Sequence, residues 1–95
     1  VKYPNPASEY TTIQYTHNAP DENHRILLEI FDLSGRLVAS YSRDIYESGF
    51  VSAPIGWDLK SSSGSNLGAG LYPYRLTVET SLGKSFINQK LIIIR

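Results

Sequence analysis

Apolar and polar residues alternate along most of this chain, and no apolar face recurs at helical spacing over a useful length. Residues 11–16, Thr-Thr-Ile-Gln-Tyr-Thr, are β-branched and alternating, and they predict a first strand. Residues 26–31 predict a second, with Ile26, Leu28 and Ile30 on one face at period two. Residues 36–46 read as a third strand. The intervening Asp32-Leu33-Ser34-Gly35 is a turn in which Gly35 suits a positive φ, so the two strands form a hairpin. Residues 55–59 form a short strand around Trp57. Residues 71–80 are the clearest strand: Tyr72, Tyr74, Leu76 and Val78 fall on one face, Arg75, Thr77 and Glu79 on the other. Pro73 lies on that second face and marks a strand start or a sheet edge. Ser81-Leu82-Gly83 turns the chain, and residues 84–95 return it as a last strand ending Leu91-Ile92-Ile93-Ile94-Arg95.

Between these strands the chain is irregular. Residues 1–8 form a stiff lead-in, because Pro4 and Pro6 each fix φ and push the preceding residue toward extended geometry. Residues 17–24 read as a polar loop, 47–54 as irregular, and 60–70 as a long Ser- and Gly-rich surface loop. Six or seven short strands with regular turn signals and no helix predict an all-β fold, an immunoglobulin-like antiparallel β-sandwich. A closed barrel is the second choice.

Length and composition narrow the picture further. The 95 residues and 10.6 kDa suffice for one small domain, residues 1–95. Nine basic side chains balance nine acidic ones, which leaves no basic footprint for nucleic acid and no polybasic patch for a membrane surface. The segment has no cysteine, which excludes disulfides, thiolate metal sites and a cysteine nucleophile within it. With no methionine and a start at Val1, the chain is expected to be a piece of a longer polypeptide. A 41% hydrophobic content fits a globular domain, and no apolar run is long enough for a transmembrane segment.

Candidate chemistry is sparse. His17, Asp21, Glu22 and His24 share one predicted loop, but their spacing matches no ligand pattern, so a solvated loop is expected rather than a metal site. No serine sits in a nucleophile elbow. Gly68-Ala69-Gly70 precedes a strand, whereas a phosphate cradle needs a helix N-terminus. Tyr72, Tyr74 and Trp57 are expected to pack in the core rather than stack on sugars. The residues thus imply no catalytic site, no cofactor and no metal. The C-terminus stays open between two readings. The four apolar residues between Lys90 and Arg95 form either a buried strand flanked by charges or an outer strand that docks another protein. Composition alone favours the former.

Three stretches together resemble a known family. Tyr3-Pro4-Asn5-Pro6-Ala7-Ser8 with Thr12-Ile13 resembles the opening of the C-terminal sorting domains of the type IX secretion system. Residues 30–38, Ile-Phe-Asp-Leu-Ser-Gly-Arg-Leu-Val, resemble their central hairpin. Gly70-Leu71-Tyr72-Pro73-Tyr74-Arg75-Leu76, Gly83-Lys84-Ser85 and Lys90-Leu91-Ile92-Ile93 resemble their closing hairpin. The extra segment 48–66 is similar to the immunoglobulin-like domain of flagellar hook-capping proteins and to the C-terminal domain of gingipain-like surface proteases that remove sorting domains. It departs at Leu59, where the family carries a small or polar residue, often glycine.

The resemblance implies a non-catalytic module that directs a parent chain through the periplasm and an outer-membrane translocon to the cell surface of a Gram-negative bacterium. It implies a parent of the cysteine-protease kind and partners in the translocon, in a barrel shuttle protein of PorV type and in the upstream domains of the same chain. The residues expected to carry recognition are Pro4, Asn5, Pro6, Gly35, Gly70, Tyr72, Lys90, Leu91, Ile92, Ile93, Ile94 and Arg95. Of these, Pro4 and Pro6 would fix where the domain leaves its parent, Gly35 and Gly70 would allow tight turns, and the last strand would present the surface. Two other functions compete: a hook-capping type of assembly module, resting on Trp57-Asp58, and a sugar-binding accessory module, resting on the seven tyrosines and in particular Tyr41 and Tyr46.

Overall fold

The computed structural model describes residues 2–3, 10–52 and 55–94. Seven strands follow in chain order: β1 Lys2–Tyr3, β2 Thr11–Ile13, β3 Glu22–Phe31, β4 Leu37–Glu47, β5 Ile55–Trp57, β6 Gly70–Thr80 and β7 Gly83–Ile93. They form a three-stranded sheet in the order β1-β2-β5 and a four-stranded sheet in the order β4-β3-β6-β7, with every neighbouring pair antiparallel. The two sheets pack as an immunoglobulin-like sandwich. Among the described residues each sheet keeps two open edges, so the strands form a sandwich rather than a closed barrel.

Period-two alternation builds the core. Ile26, Leu28 and Ile30 of β3, Tyr74, Leu76 and Val78 of β6, and Leu91 and Ile93 of β7 all point inward and are buried. Ile13, Tyr15, Ile55 and Leu59 meet them from the opposite layer. Burying each such aliphatic side chain contributes about 1.5–3 kcal/mol, and with no disulfide in the chain these residues hold the fold together.

Several boundaries differ from the sequence expectation, each for a physical reason. β3 begins at Glu22, inside the predicted polar loop, because Glu22, Asn23, His24 and Arg25 pair with Glu47, Tyr46, Ile45 and Asp44. The first strand stops at Ile13 and resumes only as a bridge between Thr16 and Val51. β5 stops at Trp57, since Leu59 adopts φ 61° and Asp58 Oδ1 accepts from the Lys60 N–H at 3.2 Å. Pro73 sits within β6, a central strand rather than an edge one. It is tolerated because the β3 ladder ends at the Ile30–Tyr74 pair, so β6 is locally an edge where Pro73 lacks its donor. Gly70 opens β6 at φ 158°, near-extended backbone rather than the tight turn expected there.

Candidate recognition surface

The β3–β4 turn, the start of β6 and the end of β7 converge on one end of the four-stranded sheet. Asp32 builds the turn: its Oδ1 accepts from the Ser34 hydroxyl at 2.6 Å and from the Ser34 and Arg36 N–H groups at 3.0 Å. The Ser34 hydroxyl, then the Arg36 N–H, hold the Asp32 carboxyl below its usual range. Gly35 takes φ 87° and donates to the Asp32 carbonyl at 3.0 Å, as its position in the turn requires.

Across the neighbouring hairpin, Leu71 pairs with Ile92 and Pro73 with Lys90. The Ile30–Tyr74 pair brings Phe31 beside Pro73 on the same outer face. A shallow hollow of about 290 Å³ lies there, lined in part by Phe31, Pro73, Arg75, Asn88 and Lys90. The end of β7 is thereby divided. Leu91 and Ile93, each 1% exposed, belong to the core, while Ile92 at 44% and Ile94 at 51% face solvent. The terminus is thus a half-buried edge strand, with Leu91 and Ile93 in the core and Ile92 and Ile94 on its outer side.

Of the residues singled out from sequence, Gly35, Gly70, Tyr72, Lys90, Leu91, Ile92, Ile93 and Ile94 gather at this end. Tyr72 is half-buried against the core and donates its hydroxyl to the Gly68 carbonyl at 2.9 Å. Pro4, Asn5, Pro6 and Arg95 lie outside the described residues. Sequence reasoning left Phe31, Leu71 and Pro73 off the candidate surface. The signal for two of them was available: counting back from the Thr80–Gly83 pair that flanks the Ser81-Leu82 turn sets Leu71 opposite Ile92 and Pro73 opposite Lys90.

In the predicted solvated loop Asn18, Asp21 and Asn23 are exposed, but His17 and His24 turn into a buried polar cluster at the other end of the sandwich. His24 is 0% exposed. Its Nε2–H donates to the Ala19 carbonyl at 2.8 Å, which leaves Nδ1 to accept the Tyr15 hydroxyl at 2.8 Å in the neutral ring. His17 Nδ1 accepts the Ala19 N–H at 3.2 Å, and its Nε2 approaches buried Glu47 Oε1 at 3.4 Å. Burial, then the Glu47 carboxylate, push the Tyr15 hydroxyl up to about 12. Glu22 turns outward and caps the β6–β7 turn, accepting from the Ser81 N–H and hydroxyl at 2.7 Å each, which lowers its carboxyl. Among the described residues no three of His, Asp and Glu stand together to hold a metal ion.

Trp57, expected as a core anchor, is half-buried at the rim, where its indole N–H donates to the Lys60 carbonyl at 3.2 Å. Tyr41 stands near it, with exposed Tyr10, around an open cleft, and Tyr46 is exposed on β4.

A model of the secretion system C-terminal sorting domain matches residues 2–94. The chain belongs to this family. Among solved structures it is similar to dimeric latent PorU from Porphyromonas gingivalis, with 35% identity and a TM-score of 0.81 over 99% of this chain. It is also similar to PorZ, a surface component of the type-IX secretion system of the same organism, at 23% identity and a TM-score of 0.57 over the whole chain. The flagellar hook-capping protein FlgD from Xanthomonas campestris shares the fold, at 18% identity and a TM-score of 0.59 over 96% of this chain. The chain spans 9% of the PorU chain, 11% of PorZ and 60% of FlgD. No match is found among the curated proteins. The sorting domain is a non-catalytic type IX secretion signal that serves export to the outer membrane or cell surface.

Proposed function

We propose that this domain is the C-terminal module of a longer parent of the PorU kind, read by the export machinery through the outer face at the Gly35 end. There Ile92, Leu71, Phe31 and Pro73 offer apolar surface beside the Lys90 charge. After passage through the outer membrane, the same face would hold the parent against a barrel protein of PorV type. The division of β7 carries this reading. The closing motif uses Leu91 and Ile93 to hold the core, yet keeps Ile92, at the end of an edge strand, and Ile94, just beyond it, about half exposed, so that two large apolar side chains stand together at an open sheet edge.

The experiment is surface delivery of the full-length parent carrying Ile92→Ser and Ile94→Ser together. Both side chains are about half exposed, so the domain still folds. Loss of delivery with a normally folded domain is expected. Normal delivery of a folded double variant overturns the proposal.

A further inference from the structure

The two sheets do not cover each other evenly. Along β7 the inward positions pass from Leu91 and Ile93 in the core to half-buried Ile87 and exposed Gln89 and Ser85. Over this first half of the strand lies an apolar cleft of about 280 Å³, bounded by Ile13, Tyr15, Leu76 and Ile87. It meets a second hollow of about 220 Å³ that shares Tyr15, Thr16 and Ile87 and ends at Leu82. An immunoglobulin-like sandwich ordinarily covers such a face with a strand.

The backbone beside the cleft is poised to receive one. Residues 50–52 bond to the segment after β2 on the side that β5 occupies: His17 N–H donates to the Phe50 carbonyl at 2.9 Å, and Ser52 N–H to the Tyr15 carbonyl at 2.8 Å. Thr16 is therefore the non-bonded member of its bridge with Val51, so its own N–H and C=O point to the opposite edge. That is the edge on which β1 pairs with β2, and there the Thr16 backbone meets no hydrogen-bond partner among the described residues. β1 pairs Lys2 with Ile13 and Tyr3 with Thr12. Continued without a bulge, that register would set the residue two before Lys2 opposite Tyr15 and the residue three before it opposite Thr16.

We infer that the parent polypeptide preceding this domain runs antiparallel along Tyr15 and Thr16, on the edge that β1 occupies, and closes the cleft over Ile87. The inference rests on the reading that this chain is a module of a longer protein. The residue two before Lys2 stands opposite Tyr15, whose side chain is buried, so it points inward and is apolar. The residue three before Lys2 exchanges backbone bonds with Thr16. The parent is thereby strapped along the sandwich edge and leaves the domain in a fixed direction.

The test uses the full-length parent. A cysteine at the residue two before Lys2 is combined with Ile87→Cys, oxidised, and the linked peptide is quantified by mass spectrometry. The linked peptide should dominate, and moving the upstream cysteine by one residue should abolish it by turning the side chain outward. No linkage, or equal linkage at both positions, overturns the inference. In the parent without added cysteines, hydrogen exchange at the Thr16 amide should accelerate about tenfold or more when the four residues before Lys2 become Gly-Ser repeats; unchanged protection overturns it as well. Surface delivery is scored separately. Failed linkage in a normally delivered parent removes the strand extension and leaves the sorting role intact. Linkage in a parent whose folded Ile92→Ser, Ile94→Ser form is delivered normally removes the recognition surface alone.

Discussion

Leu59 sets two demands against each other. Its φ of 61° lies in the left-handed region, which costs a residue with a Cβ about 1–2 kcal/mol. Its side chain is 0% exposed and packs in the core cluster, where truncating a leucine to alanine costs about 3–5 kcal/mol. Leu59→Ala gives up the packing and keeps the backbone strain. Leu59→Gly gives up the same packing, releases the strain, and is partly offset by the greater freedom of glycine in the unfolded chain, about 0.4–1 kcal/mol. The glycine variant should therefore be the more stable of the two by about 0.5–1 kcal/mol, and both should fall below the natural protein. At an ordinary extended position the order reverses. Ala39 in β4 supplies the control, where Ala39→Gly should cost about 0.5–1 kcal/mol or more. In a domain of this size 1 kcal/mol moves the unfolding midpoint by about 4–8 °C, so the differences are measurable by thermal melting followed by circular dichroism. If Leu59→Gly melts at or below Leu59→Ala, the strain argument is wrong. Glycine would suit the backbone at this position, whereas leucine fills the core.

Three further outcomes follow from the same geometry. Leu91→Ala should cost about 2–5 kcal/mol in urea unfolding, whereas Ile92→Ser should cost roughly 1 kcal/mol or less; equal losses would contradict the alternation of β7. Tyr15→Phe leaves His24 Nδ1 buried without its donor and should cost about 1–3 kcal/mol. Because the Tyr15 hydroxyl is raised from 10.0 to about 12, its contribution is full below pH 10 and is lost as pH rises toward 12. The variant should therefore lose less stability across that window than the natural protein, a difference read from urea titrations at stepped pH. Asp32 and Glu22 have lowered carboxyls, so their stabilisation is present above the ordinary carboxylate range near pH 4 and is lost as pH falls through the folded values. Asp32→Asn should flatten the acid limb of a melting-temperature profile between about pH 5 and pH 2, and an unchanged limb would remove that assignment.

How far the sequence could be read depended on whether a position reports only its own neighbours. Ile26, Leu28 and Ile30, or Tyr74, Leu76 and Val78, announce a strand and its inner face by alternation alone, and the structure buries all six. The turn at Asp32 to Gly35 is equally local, since one carboxylate and one positive φ define it. The failures required a partner from elsewhere. Nothing in the local pattern around His24 shows that Tyr15 and Ala19 will satisfy it, so a buried histidine looked like part of a solvated loop. Pro73 marked a strand start or an edge, and β6 is an edge at that point, but nothing near Pro73 shows that one residue further on β3 makes the same strand a central one. Gly70 looked like a turn because glycine so often is one, yet its backbone is near-extended. The candidate surface fell between these cases: its motif residues were legible in the chain, but which of them share a face is a property of the β6–β7 register.

That register bears on what kind of signal the domain can be. The residues of the outer face come from β3, β6 and β7 and are adjacent only across strands: Phe31 beside Pro73, Pro73 opposite Lys90, Leu71 opposite Ile92. An unfolded chain does not present them together, and a linear peptide covering the last strand carries only Lys90, Ile92 and Ile94. If this face is what the export machinery reads, the signal exists only after the sandwich has formed, and the alternation of β7 ties the two together. Leu91 and Ile93 cannot reach the core unless Ile92 and Ile94 are displayed, because successive side chains of a strand take opposite faces. A single segment then serves as fold closure and as signal without compromise between them, and display of the signal itself reports that the domain has folded.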